Sequence, residues 1–280
     1  MPCVALWGTM GAIMTVSLAE VLEVLERLAP LHLAADWDNV GLLVEPRPRA
    51  VASVERIHLT IDLTEAVLDE AIEGSADLIV AYHPPLFSGL KRLTQHSAAE
   101  RITLSLVLAG IAAYSPHTAL DACRGGLNDW LVSAFGPGSV SAIEPTRDAT
   151  GEGQGRLLEL ADPLRLSDAI ERVKAHLNLE QVRVARPAHV EDPLLRRFAV
   201  CAGAGGAVLA HAEADLFLTG EMRHHDILAQ QARGSSVIVC DHTNTERGYL
   251  PVLAERLTQA LGGGVEITIS ARDADPLQIV

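Results

Sequence analysis

Cysteine is scarce in this sequence. Cys3, Cys123, Cys201 and Cys240 include no C-x-x-C pair, which excludes a thiolate zinc site and a redox motif of that type. They leave no disulfide framework either, as suits a reducing cytoplasm. Aromatic residues make up 4% of the chain, too few for a base-stacking platform. Basic residues are outnumbered: 22 Lys and Arg against 36 Asp and Glu give a formal charge of −14. A surface of that sign repels phosphate backbones, so nucleic acid is not an expected partner. No apolar run reaches the ~20 residues of a membrane span; the stretch Val4–Val16 is broken by Gly8, Thr9 and Gly11. A signal peptide needs a basic start, and the first Lys or Arg is Arg27. A soluble cytoplasmic protein without a membrane partner is expected. H-E-x-x-H and G-x-S-x-G are both missing, which removes zincin proteases and α/β-hydrolases.

What is present is an ordinary globular composition. The 280 residues are 49% hydrophobic and 21% charged, material for about two domains. Residues 1–13 carry no cap and no periodic pattern; they are expected to be a disordered leader or to reflect a start upstream of Met14, dispensable to the folded body. The first helix begins at Ser17, where Ser17 and Glu20 form the capping box S-x-x-E and Leu18, Val21, Leu22, Leu25 and Leu28 line one face. Strands then alternate with helices: Arg56–Asp62, a helix capped by Thr64, the apolar run Asp77–Ala81, a helix over Ala98–Ala109 and a strand over Ile111–Tyr114. Asn128–Phe135 reads as helix. Gly136–Gly138 and Thr150–Gly155 read as turn-rich boundaries, and a helix carrying Leu166, Ile170, Val173 and Leu177 opens a second unit. The segment Val182–Pro193 gives no clear pattern. This alternation predicts an α/β fold with an at least partly parallel sheet, whose ligands sit beyond the carboxyl ends of the strands.

The chain also repeats itself. Ala66–Ala71 followed by Ala76–Val80 resembles Ala207–Ala212 followed by Ala214–Leu218. Each half then continues through a helix to another apolar strand, one ending at Ser115-Pro116-His117-Thr118 and the other at Cys240-Asp241-His242-Thr243. The continuations His117…Asp121 and His242…Glu246 each set a carboxylate four residues after a His, on one face of a helical turn. The expected organisation is two similar α/β units related by internal duplication with a metal cleft between them: residues 1–135 with 236–280, and residues 136–235.

His83, His117, Asp121, His242 and Glu246 supply imidazole and carboxylate but no thiolate, a donor set that suits Zn, Mn, Fe, Co or Ni. They suffice for two ions sharing a bridging carboxylate, a centre that can activate water. The other reading of these residues is a set of hydrogen-bonded structural groups at strand ends. In Thr219–Asp226, Glu221 or His225 are candidates for a general base, for partners that orient metal ligands, or for a solvated helix start. Gly203-Ala204-Gly205-Gly206 follows a strand and opens a helix; it is either a plain tight turn or a holder for a substrate phosphate.

Taken in order, Asp36-Trp37-Asp38-Asn39-Val40-Gly41-Leu42, Tyr82-His83-Pro84-Pro85, His117-Thr118-Ala119-Leu120-Asp121, Thr219-Gly220-Glu221 and His242-x-x-x-Glu246 resemble the GTP cyclohydrolase I type 2-like family. This is also called the NGG-one-interacting factor three-like family, of dinuclear-metal-centre hexameric proteins. The resemblance runs from about Val16 to Val280. It implies two related α/β domains, a homohexamer, and two divalent metal ions per subunit held by His83, Asp121, His242 and Glu246. His117 and Glu221 would lie close by. Tyr82 stands where the family's bacterial pattern has a second His, which implies a weaker second ion. The expected function is a divalent-metal-dependent hydrolase acting on a small-molecule substrate, with a nucleotide such as GTP the class implied. Water between the metals would be the nucleophile, and His117, Glu221 or His225 would move protons. The alternative is a non-enzymatic metal-binding scaffold that acts through protein partners.

Overall fold

The computed structural model describes residues 16–48, 52–146 and 151–278. The expected leader, residues 1–13, lies outside the described residues. The first half of the chain runs β1 (Val16–Ser17), α1 (Leu18–Leu28), β2 (Gly41–Val44), β3 (Ser53–Val54), β4 (Arg56–Thr60), α2 (Glu65–Glu73), β5 (Leu78–Ala81), α3 (Ala98–Ala109), β6 (Ala112–Ser115), α4 (His117–Ala122) and α5 (Leu127–Val132). The second half runs β7 (Ser139–Pro145), β8 (Gly153–Arg165), α6 (Leu166–Leu177), β9 (Arg183–Ala185), β10 (Leu194–Cys201), α7 (Gly206–Leu209), β11 (Leu216–Thr219), α8 (His224–Ala232), β12 (Ser236–Val239), α9 (Leu250–Ala260) and β13 (Glu266–Ile269).

Two sheets carry the mixed α/β architecture. One has the order β13-β4-β5-β6-β2, the other β7-β8-β10-β11-β12-β9. The strands β4, β5 and β6 are mutually parallel, as are β10, β11 and β12. Every residue of β5, β6, β11 and β12 is buried, which is why these strands read as continuous apolar runs rather than as alternating patterns. The largest core cluster joins the sheets: Leu18, Val21 and Leu25 of α1, Leu131 of α5 and Leu253 of α9 pack with Leu78, Phe198, Leu216 and Ile238. Smaller clusters fill the outer faces, under α2 and α3 in one unit and around Leu209, Phe217 and Val237 in the other. Among the described residues no helix is long and apolar enough to cross a membrane.

Local chemistry fixes the ends of these elements. The Ser17–Glu20 capping box forms in both directions, and Thr64 accepts from the backbone N–H of Val67 at the start of α2. Three features differ from the sequence reading. The strand Ser236–Val239, grouped with the first unit by sequence, is hydrogen-bonded into the six-stranded sheet between β11 and β9, and the chain returns to the five-stranded sheet only with β13. The stretch up to Gly155 is not merely a boundary. It leads into β8, which forms an antiparallel hairpin with β7 and then pairs with β10. The register shift between Leu195 and Arg197 absorbs the interruption around Pro163. Finally, Arg183–Ala185 in the unread segment is a short antiparallel edge strand.

Candidate metal centre

The parallel strands of the two sheets end against each other. Tyr82 and His83 follow β5, His117 follows β6, and His242 follows β12. The His83 and His242 rings lie 5.3 Å apart, and those of His83 and His117 also 5.3 Å. His83, His242 and Glu246 bring one ligand atom each to within 4.8 Å of one another, the group among the described residues able to hold an ion.

Glu246 is the centre of this group and is 1% exposed. Its Oε2 lies 3.5 Å from His83 Nε2 and its Oε1 3.4 Å from His242 Nε2. Oε2 is buried with no hydrogen-bond partner, an uncompensated acceptor facing an imidazole. Each imidazole has a carboxylate near its other nitrogen, hydrogen-bonded for His83 and at ion-pair distance for His242. Asp62 Oδ1 lies 2.9 Å from His83 Nδ1, and Glu221 Oε1 lies 3.4 Å from His242 Nδ1. A carboxylate on Nδ1 sets the tautomer that leaves Nε2 free as a ligand, the usual support of a metal-binding His. Gly203 makes the approach possible. It sits at φ 58°, and a Cβ there would come within 2.7 Å of Glu246 Oε1 and 2.8 Å of His242 Nε2.

His117 and Asp121 stand beside the cluster. His117 Nδ1 is 2.8 Å from Asp38 Oδ1, while the other Asp38 oxygen accepts from the N–H and hydroxyl of Thr118. Burial works against the Asp38 charge, yet the hydrogen bonds from His117 and Thr118 and the His117 charge outweigh it and lower its pKa. Asp38 therefore remains an acceptor. Tyr82 donates its hydroxyl to Asp121 Oδ1 at 2.7 Å. Burial, reinforced by the charges of Asp121 and Glu246, drives the Tyr82 phenol well above its ordinary value, so it stays neutral. Burial also raises Asp121 to about 6 against the opposing Tyr82 hydrogen bond. His117 and Asp241 both have positive φ, 28° and 66°, a conformation that costs a non-glycine residue energy and here brackets the site. All these groups except Asp38, Asp62, Glu221 and Asp241 line one cavity of about 730 Å³, with Trp37 and Phe87 at its wall.

Burial opposes a charge on His83, but the Asp62 hydrogen bond and the neighbouring carboxylates of Glu246 and Asp62 win and push its pKa up from 6.5 to about 10. A value raised on folding stabilises the metal-free protein fully below pH 6.5, and that contribution is lost as pH rises through about 10. Chelator-treated protein should therefore show a falling urea midpoint between pH 7 and 10, and His83→Gln a flatter profile over the same range.

Residues 16–276 match the DUF34/NIF3 (NGG1p interacting factor 3) family. The chain belongs to this family. The Schizosaccharomyces pombe "Protein NIF3 homolog" is 42% identical over 92% of this chain and 96% of its own. The fold is shared with the Bacillus cereus protein related to NIF3, at a TM-score of 0.83 and 21% identity over 95% of this chain and 100% of that one. It is also shared with reduced HcgD from Methanocaldococcus jannaschii, at a TM-score of 0.78 and 24% identity over 91% and 98%.

In this NIF3-family chain the residues expected from sequence fall into three groups. His83, His242 and Glu246 come together as one cluster. Asp121 and His117 share its cavity, Asp121 with its Oδ1 bonded to Tyr82, and Glu221 reaches His242 from outside the lining. His225 does not join them; it is exposed on the first turn of α8, next to His224, because that helix lies along the outside of the sheet. The glycine turn lines the cavity and packs closely on the cluster. Its Gly203 and Gly205 N–H groups donate to the hydroxyls of Thr245 and Thr219. Sequence reasoning missed Asp38 and Asp62 as imidazole partners. The signal for Asp62 was a carboxylate at the end of a strand adjacent to the one that carries His83.

Proposed function

We propose that this chain is a divalent-metal-dependent hydrolase with a dinuclear centre, acting on a nucleotide such as GTP. The observation that carries this reading is the Glu246 carboxylate, buried with its two oxygens turned to different imidazoles and one of them without a hydrogen bond. It lies on the wall of a cavity within the size range of small-molecule sites. The donor set fits Zn, Mn, Fe, Co or Ni. In this reading His83, Asp121 and Glu246 hold one ion, while His242 and Glu246 hold a second and weaker one, since the neutral Tyr82 phenol is a poor ligand. A bound divalent ion supplies Lewis acidity and a water of lowered pKa. His117, steadied through Nδ1 by Asp38, takes or gives a proton at Nε2. Glu221 orients His242, and Trp37 and Phe87 give the cavity an apolar wall on one side.

Elemental analysis combined with a nucleotide panel in added Mn, Zn, Co or Fe tests the reading. Bound metal, a second ion of lower affinity and hydrolytic turnover are expected. His117→Gln should keep the metal and lose about 10²–10⁴-fold in rate. Metal bound without turnover on any nucleotide would leave the scaffold reading and remove the hydrolase.

The same family resemblance supports a homohexamer, and Leu108 on α3, 84% exposed, is the kind of residue an assembly covers. Multi-angle light scattering at micromolar concentration should return a hexamer; a mass of 29.8 kDa would overturn it.

A further inference from the structure

Residues 270–277 and Arg247 stand outside the cavity lining, yet they join the two backbone stretches that carry the cluster. Asp273, with a side chain only 2% exposed, is where they meet. Its Oδ2 accepts from the Ile61 N–H at 2.9 Å and its Oδ1 from Arg247 Nη2 at 3.2 Å. Ile61 immediately precedes Asp62, the partner of His83 Nδ1, and the Ile61 carbonyl accepts from the His83 N–H at 3.0 Å. Arg247 immediately follows Glu246. Its Nη1 donates to Thr243 Oγ1 at 2.9 Å, and that hydroxyl is 2.9 Å from Asp275 Oδ2. The far end of the segment is fixed to α2, where Glu70 accepts from the backbone N–H groups of Ala271 at 3.0 Å and Arg272 at 3.3 Å.

We propose that Asp273, through Ile61 and Arg247, is the positioning residue that sets the distance between His83 and Glu246 at the metal centre. The inference rests on the metal-binding reading of that cluster. The loop 242–247 has a separate hold on the six-stranded sheet, because Thr245 Oγ1 accepts from the Gly203 N–H and Asn244 donates to the Cys240 carbonyl. Losing Asp273 therefore leaves His242 and Glu246 in place on their own sheet and frees them relative to His83. A buried carboxylate accepting from an N–H and a guanidinium is a strong, charge-assisted anchor. An amide in its place must turn its NH2 group toward one of those two donors.

Titration with Mn or Zn should show Asp273→Asn binding about 10–100-fold more weakly than wild type, the usual cost of disturbing groups behind the ligands. Ser17→Ala, which loosens α1 far from the site, should not change affinity. A second readout needs no metal. In chelator-treated protein the His83 ring resonance should move in Asp273→Asn, while that of exposed His225 should not. Unchanged affinity with an unmoved His83 resonance in a folded variant would overturn the proposal. If wild type binds no ion, the metal-centre reading falls, and the His83 resonance alone decides the role of Asp273: a shift supports it and an unmoved resonance overturns it. If Asp273→Asn does not fold, Arg247→Lys and Asp275→Asn, which leave the Ile61 contact intact, are read by the same two measures.

Discussion

Gly203→Ala should yield a folded protein that has lost its grip on metal. The residue sits at φ 58°, where an alanine costs about 1–2 kcal/mol, a burden a chain of this size tolerates. The larger effect is steric. The new methyl would lie 2.7 Å from Glu246 Oε1 and 2.8 Å from His242 Nε2, so the partly exposed His242 ring must swing away from the enclosed carboxylate. Glu246 is enclosed, and the His242 backbone already packs so closely on Gly220 that a Cβ there would be 2.8 Å from His242 Cα. The methyl must therefore part the two ligands or take the space an ion would use. Metal affinity should drop by about 100-fold or more, beyond the usual cost of a change behind the ligands, with only a modest fall in melting temperature. Equilibrium dialysis alongside a thermal scan reads both, and an unchanged affinity would show that the cluster is not the binding site.

Arg156→Met should be the most damaging single change to stability. Arg156 is 1% exposed and pairs with Asp129. It also donates to the carbonyls of Gly153 at 2.6 Å, Gly155 at 2.8 Å, Ala122 at 3.2 Å and Cys123 at 3.0 Å. These contacts tie the β7–β8 hairpin to the end of α4, the helix that carries Asp121. A methionine fills the volume but takes the guanidinium away from these carbonyls and leaves Asp129, 28% exposed, with the Gly125 N–H and solvent. At about 1–3 kcal/mol for each buried acceptor left without its donor, the several carbonyls put the loss at about 3–5 kcal/mol. At about 2–4 °C per kcal/mol that is a fall of roughly 6–20 °C in melting temperature. A shift within a degree or two of wild type would mean that water replaces the guanidinium.

Much of the fold was legible because its central strands and helices are local objects. The Ser17–Glu20 box, the Thr64 cap and the apolar runs before His83 and His117 declare themselves within a few residues. The β7–β8 hairpin did not. Its first strand is an exposed edge without alternation, and the second opens with Gly153 and Gly155 and buries Arg156, so composition points to a turn. The membership of β12 was hidden for a different reason: two copies of one motif offer two sheets that would accept the same strand. At the site, the spacing His242-x-x-x-Glu246 reveals a pair, because both members lie on one turn of chain. The partners Asp38 and Asp62 lie 79 and 21 residues from the imidazoles they hold, and only the folded chain brings them close.

The cluster draws His83 from one sheet and His242 and Glu246 from the segment that leaves the other. Neither sheet alone supplies all three. An ion that needs all three would find its site only after both halves are built and docked. The free energy of its capture would then act across the seam between them, as a clasp rather than a nucleus. Metal should accordingly slow the separation of the two halves far more than it speeds the formation of either.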